Sequence, residues 1–214
     1  MYDRHNRMKV NRWDDHYARR AKDEKWLARS VYKLQEIDRK FKLIGRGNRV
    51  LDLGCYPGSW SQYGAERVAP DGCVVGIDLN RPDRFSATNF RFILGDVFVL
   101  DAEWLCREVG PVDVVMSDLA PRTTGIRLAD ESRSIALARK AFQIAVVLLR
   151  KKGHFVCKVF EGDEFSALKA EISPHFRQLK PFRPPAVRKR SREVYLVGLG
   201  LVRGLGCPSD SSPV

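Results

Sequence analysis

The chain has 214 residues, 44% hydrophobic and 30% charged, which suits one globular domain with a real core and a small appendage. No run approaches the roughly 18 apolar residues of a membrane span, and the first ten residues lack a leader's apolar segment, while acidic residues from Asp3 onward argue against a transit peptide. A formal charge of +12 and a pI near 9.7 point instead to a polyanionic partner, because each lysine or arginine set on a phosphate releases a condensed counterion.

That charge is unevenly spread. Residues 1 to 46 hold 14 Lys/Arg against 7 Asp/Glu, and residues 177 to 192 hold 7 basic residues and no acid. The five cysteines, Cys55, Cys73, Cys106, Cys157 and Cys207, are odd in number and lack C-x-x-C spacing, so neither a disulfide framework nor a zinc site is indicated. The expectation is a cytoplasmic, monomeric protein of a reducing compartment, with no metal and no membrane role.

Residues 13 to 43 carry Tyr17, Ala21, Leu27, Val31, Leu34, Ile37 and Phe41 three or four apart in a polar background, the pattern of one or two amphipathic helices. Gly45 and Gly47 then supply the stop. Trp13, Tyr17 and Tyr32 read as anchors of this extension, taken as residues 1 to 46. From Arg49 strands and helices alternate: strand 49–54, helix 58–68, strands 73–78 and 90–94, helix 101–108, strand 112–117, helix 130–150, strand 153–160, helix 164–172, and strands near 175–181 and 193–201. Such alternation builds an α/β fold, a mostly parallel sheet with helices on both faces, which the final pair of strands closes as an antiparallel edge. The α/β domain is thus expected over 47 to 203, followed by a disordered Gly/Pro/Ser-rich tail from 204 to 214.

The first strand runs into Val50-Leu-Asp-Leu-Gly-Cys-Tyr-Pro-Gly-Ser-Trp60. Ligands of open parallel sheets bind beyond the strands' carboxyl ends, where strand order reverses. Gly54 ends the strand, Pro57 suits a helix's first turn, and Gly58 allows close backbone approach. A dinucleotide fingerprint starting at Gly54 needs glycine at 56 and 59, where Tyr56 and Ser59 stand, so a nicotinamide oxidoreductase is disfavoured. S-adenosylmethionine, which has no phosphate, fits the shortened turn better. Asp78 ends the next strand, placed for the ribose hydroxyls of an adenosine, and Asp96 follows the third, placed for the adenine amino group.

A second constellation is charged: Lys33, Asp118, Lys158 and Glu193 each lie where a side chain reaches the mouth of the sheet. Asp118 follows strand 112–117, Glu193 opens the last strand, and Lys158 interrupts the apolar Phe155-Val-Cys-Lys-Val-Phe160. Two lysines with two carboxylates hold a core together poorly and activate a hydroxyl well. Arg188, Lys189, Arg190 and Arg192, in the basic stretch before Glu193, suit phosphate contacts that hold a backbone without reading bases.

Ala28-Arg-Ser-Val-Tyr-Lys-Leu-Gln-Glu-Ile37, Leu51-Asp-Leu-Gly-Cys-Tyr-Pro-Gly-Ser-Trp-Ser-Gln62, Met116-Ser-Asp-Leu-Ala-Pro121, Phe155-Val-Cys-Lys-Val-Phe-Glu-Gly162 and Ser191-Arg-Glu-Val-Tyr195 resemble the FtsJ-type RNA 2′-O-ribose methyltransferases, in particular their bacterial large-subunit ribosomal RNA branch. The resemblance runs from about residue 13 to 200. It implies the Rossmann-like S-adenosylmethionine-dependent methyltransferase fold, a Lys-Asp-Lys-Glu tetrad on Lys33, Asp118, Lys158 and Glu193, and cofactor contacts on Gly58, Trp60, Asp78, Asp96 and Asp118. It further implies a uridine of ribosomal RNA in the large subunit as substrate. Two departures stand out. Cys55-Tyr56 replaces a small pair before Pro57, with the prospect of crowding the turn, and Arg122 stands where that branch often has asparagine. Lys158 is expected either to take the hydroxyl proton or only to position the hydroxyl. Competing readings are a transfer RNA 2′-O-methyltransferase and a ribosome-assembly factor that binds RNA without catalysis.

Overall fold

The computed structural model describes residues 12–82 and 84–207, with side chains from residue 16 onward; the side chain of Trp13 and the tail beyond Cys207 therefore lie outside what is described. Helices α1 (Arg12–Asp23) and α2 (Val31–Phe41) precede β1 (Arg49–Leu53), α3 (Ser59–Val68), β2 (Cys73–Asp78) and β3 (Phe90–Leu94). Then come α4 (Ala102–Glu108), β4 (Val112–Ser117), α5 (Arg127–Leu148), β5 (Leu149–Phe160), α6 (Phe165–Ile172), a 3₁₀ turn (Ser173–His175), β6 (Phe176–Phe182) and β7 (Glu193–Leu201).

These strands form one seven-stranded sheet in the order β3-β2-β1-β4-β5-β7-β6. Strands β1 to β5 pair in parallel, while β7 runs antiparallel to both β5 and β6. The expected α/β fold is therefore present, with the reversed strand one place in from the edge. Strand alternation divides the core. Val50, Val74, Val114 and Val156 face Leu34 and Ile37 of α2 and Trp60 and Val68 of α3. Leu51, Leu53, Val115 and Phe155 face Leu105 of α4, Ile135 and Phe142 of α5 and Leu168 of α6. The period-two pattern thus buries both faces of every central strand.

The apolar stripe Val31, Leu34 and Ile37 of α2 is fully buried, at about 1.5–3 kcal/mol per side chain, and this burial fixes Lys33 on the neighbouring face. The helix does not run to Gly45. Lys42 takes the left-handed conformation (φ 56°) and donates its N–H to the Asp38 carbonyl at 2.8 Å. The buried Asp38 carboxylate then accepts from Ile44 N–H (2.9 Å), the Tyr63 hydroxyl (2.8 Å) and Arg67 Nε (3.2 Å). Side-chain bonding there replaces the expected glycine stop.

Three other expectations need correction. Helix α5 begins at Arg127 rather than 130, and β5 begins at Leu149 rather than 153, because Leu149 pairs with Val112 ahead of a β-bulge. Residues 204–206 are exposed, but the chain there is tied down at two points: Leu205 donates its N–H to Val146 O at 2.7 Å, and Cys207 is buried. Cys207 is also disulfide-bonded to Cys106 of α4, 101 residues away, a pairing that no local spacing reveals.

Candidate active site

A cleft of about 620 Å³ opens at the carboxyl ends of β1, β2, β3 and β4, and its walls include Gly54, Tyr56, Asp78, Asp96, Asp118 and Leu119. It stands at the topological switch point, where the chain leaves the β1-β2-β3 side and crosses to β4. The size falls within the range of small-molecule sites. Gly54 has φ 80°, and a Cβ there would lie 2.7 Å from the Leu119 side chain and 3.1 Å from its backbone nitrogen. Only glycine lets the first turn and the β4–α5 loop meet at the cleft floor.

Asp78 accepts N–H bonds from Tyr56 (3.0 Å, Oδ2) and Asn80 (2.8 Å, Oδ1), and Asp96 accepts one from Phe98 (3.0 Å). Both carboxylates thereby shape their loops and keep further lone pairs for a ligand's hydroxyl or amino donors. The donor set fits S-adenosylmethionine: carboxylates for a nucleoside, and no glycine-rich cradle for a pyrophosphate. Tyr56 does not fill the site. It is half exposed at the rim, while Cys55 is buried with its sulfur against Gly76.

Beyond Asp118 the tetrad assembles. Lys158 Nζ donates to the Asp118 main-chain oxygen at 2.5 Å and lies 3.2 Å from Asp118 Oδ1. Lys33 Nζ lies 2.6 Å from Glu193 Oε1. Tyr195 joins the two pairs, its hydroxyl 2.8 Å from Asp118 Oδ1 and 2.7 Å from Glu193 Oε1. With one proton it donates to one carboxylate at a time. Register explains the convergence. Ser117 pairs with Cys157, so Asp118 comes level with Lys158, and the reversed β7 sets Tyr195 opposite Lys158 and Glu193 opposite Phe160.

The four charged side chains are 6–18% exposed, so their interactions are screened far less than surface pairs. Burial works to raise the Asp118 pKa, but the Lys158 and Lys33 ammonium groups and the Tyr195 hydroxyl together hold its carboxyl below the usual range. Burial and the two carboxylates push the Tyr195 phenol well above its ordinary value. Two cations and two anions balance, which satisfies the requirement that buried charge be compensated.

Sequence reading missed Tyr195 as a site residue, although its strand and its spacing of two from Glu193 placed both on one face of β7. Conversely, Pro57, Gly58 and Trp60 do not line the cleft. Pro57 and Gly58 shape the turn into α3; Gly58 has φ 113°, and a Cβ there would meet Leu27, Phe85 and Pro82. Trp60 points to the opposite face of the sheet, donating its indole N–H to Ser30 O at 2.9 Å with its ring 5.8 Å from that of Tyr195. It ties the α2 start to the tetrad from below.

Arg188, Lys189 and Arg190 are exposed on the β6–β7 loop, whose Ala186 and Val187 are buried. Glu36 of α2 accepts the Ala186 N–H at 2.9 Å, which joins this basic loop to the helix carrying Lys33. Arg192 differs from its neighbours: it pairs with the buried Glu131 of α5. No group of three or more His, Cys, Asp or Glu side chains suited to a metal ion occurs among the described residues, and none of their helices is long and apolar enough to cross a membrane.

Comparison with known proteins agrees with this geometry. Residues 26–201 match the FtsJ-like methyltransferase family. The chain is 47% identical to the ribosomal RNA large subunit methyltransferase E of Bdellovibrio bacteriovorus, over 86% of this chain and 95% of that one. It is 46% identical to the protein of the same name from Desulfosudis oleivorans, over 86% and 89%. Among solved structures, a ribosomal RNA methyltransferase of Plasmodium falciparum superposes with a TM-score of 0.74 at 25% identity, over 83% of this chain and all of that one. These names favour neither the transfer RNA reading nor the non-catalytic one. With its matched span covering cleft and tetrad alike, the chain belongs to the FtsJ-like methyltransferase family.

Proposed function

We propose that this protein methylates the ribose 2′-hydroxyl of a uridine in large-subunit ribosomal RNA, acting in the cytoplasm on the assembled or nearly assembled subunit. The observation that carries the reading is the continuous Lys158–Asp118–Tyr195–Glu193–Lys33 network beginning at the wall of a nucleoside-sized cleft. S-adenosylmethionine, when bound, supplies an electrophilic methyl group that the hydroxyl oxygen attacks as S-adenosylhomocysteine leaves.

Asp78 and Asp96 are suited to the nucleoside end of the cofactor, and Asp118, kept ionised by its ammonium neighbours, places negative charge beside the sulfonium. Lys158 is held by two bonds to Asp118, which leaves it a third N–H to aim at the substrate hydroxyl. Its role is to fix that oxygen in line with the methyl, and the hydroxyl proton departs late to solvent, once the oxygen has gained positive character. Lys33, anchored to Glu193, presents positive charge on the acceptor side, where a phosphate backbone arrives. Much of the acceleration then comes from holding two reactants together.

The test is incubation with methyl-labelled S-adenosylmethionine and large ribosomal subunits lacking the modification, followed by nuclease mapping. Label on one uridine ribose is the expected result. Label on a base or on transfer RNA, or no label, rejects the reading.

A further inference from the structure

The cleft has a wall that neither the cofactor carboxylates nor the tetrad uses. Arg122, on the β4–α5 loop, and Arg133, on α5, both line it and both are exposed. Arg133 shares a helix face with Ala136 and Leu137, three and four residues on, which is why all three reach the cleft. Other arginines of α5 are neutralised within the fold, Arg127 by Glu131 and Arg139 by Glu171, each at 2.9 Å. Arg122 and Arg133 have no ion-pair partner within 4.0 Å among the described residues.

The nearest acid in sequence is already committed. Asp130 accepts the Thr124 N–H (2.8 Å), the Thr124 hydroxyl (3.0 Å) and the Gly125 N–H (3.2 Å), and these bonds, with the Arg133 charge nearby, hold its carboxyl below the usual range. The same bonds pin the loop that carries Arg122. Arg133 Nη1 reaches the Arg122 carbonyl at 3.5 Å, so α5 and the loop that carries Arg122 meet at this wall, and both side chains line it. Such a pair suits the planar, multiply accepting oxygens of a phosphodiester.

We propose that Arg122 and Arg133 form a phosphodiester subsite that grips the RNA strand beside the target nucleotide. The subsite lies at the β4–α5 loop and the start of α5, and the basic β6–β7 loop, tied to α5 through Arg192 and Glu131, supplies a second cationic support for the strand. This assignment rests on the RNA methyltransferase reading above.

The experiment compares wild type with the R122A/R133A double variant in two measurements. Fluorescence anisotropy with a labelled, uridine-containing single-stranded RNA, in the presence of S-adenosylhomocysteine, is run across a salt series. Calorimetry gives the affinity for S-adenosylmethionine. The double variant is expected to bind RNA about tenfold more weakly, with a log–log salt slope shallower by about 0.7, the value for one phosphate of a single strand, while cofactor affinity stays within about twofold. The R122K/R133K variant, which keeps the charge, should recover most of the slope. Unchanged RNA affinity and slope in R122A/R133A overturn the subsite. So does weakened cofactor binding with RNA unaffected, which would assign the arginines to the cofactor's carboxylate. Failure of the wild type to transfer methyl would reject the enzymatic reading alone, because RNA affinity is read without turnover.

Discussion

The two halves of the site are held by different means. On the cofactor side, Asp78 and Asp96 are fixed by N–H groups two residues away or on the adjoining turn, so each strand end prepares its own piece of the cleft. On the acceptor side, Lys33, Asp118, Lys158, Glu193 and Tyr195 bond side chain to side chain and lie up to 162 residues apart. The first half is local and tolerant. The second depends on its four charged members, since removing one of them leaves a buried charge uncompensated.

Substitutions should reveal this contrast directly. Lys158→Ala is expected to have the largest effect, lowering methyl transfer about a thousandfold, within the range of a lost acid–base or positioning group, while calorimetric affinity for S-adenosylmethionine stays within about twofold. Retained turnover would remove Lys158 from the chemistry. Asp78→Ala should show the reverse pattern, weakening cofactor binding by about 10- to 100-fold, because it removes a ligand acceptor and frees the Tyr56 and Asn80 amides. Equal affinity in calorimetry would discard that contact.

Protonation sharpens the comparison next. Burial pushes the Asp52 carboxyl up from 3.8 to about 7 against the opposing Ser61 hydroxyl, which donates at 2.6 Å, and Oδ1 has no partner. Between those two pH values the unfolded chain is ionised and the folded chain keeps its proton. The Asp52 contribution to stability is therefore full below 3.8 and is lost as pH rises to about 7, at up to about 1.4 kcal/mol per pH unit. Urea unfolding of Asp52→Asn should lack that slope; an unchanged slope would mean that Asp52 is already ionised in the fold. Asp118 has the opposite sign. Its depressed pKa gives stability that is present above the ordinary carboxylate range and lost as pH falls through the folded value, so acid loosens the acceptor side.

The smallest expected change is that of Tyr195→Phe, which removes one hydroxyl and keeps the ring packed. Loss of that link should cost about 1 kcal/mol of stability and slow turnover by about threefold to tenfold, read from denaturant midpoints and single-turnover rates. A neutral outcome would show that the two ion pairs stand independently.

Much of this architecture was legible in the residues. Strand periodicity located the sheet, and charged side chains in or beside apolar strands pointed to Asp118, Lys158 and Glu193, because such placements are costly without a partner, whereas Lys33, on an amphipathic helix, is assigned to the tetrad through the family resemblance. What escaped depended on long-range packing. The turn motif at Pro57-Gly58-Ser-Trp60 reads as ligand-facing, yet helix phase turns Trp60 toward α2. Lys42 ends α2 because Asp38, four residues earlier, is bonded by elements not yet folded when α2 is read alone. Cys106 and Cys207 meet only after the last strand is in place. Arg192 belongs to a basic run in sequence, but Glu131 claims it in space.

The reversed β7 has a consequence for assembly of the site. Everything that forms the cleft lies before residue 138, whereas the counterion of Lys33 arrives only with Glu193. The acceptor half of the site is therefore complete only once β7 has paired with β5, and a chain without that pairing would hold Lys33 with no counterion.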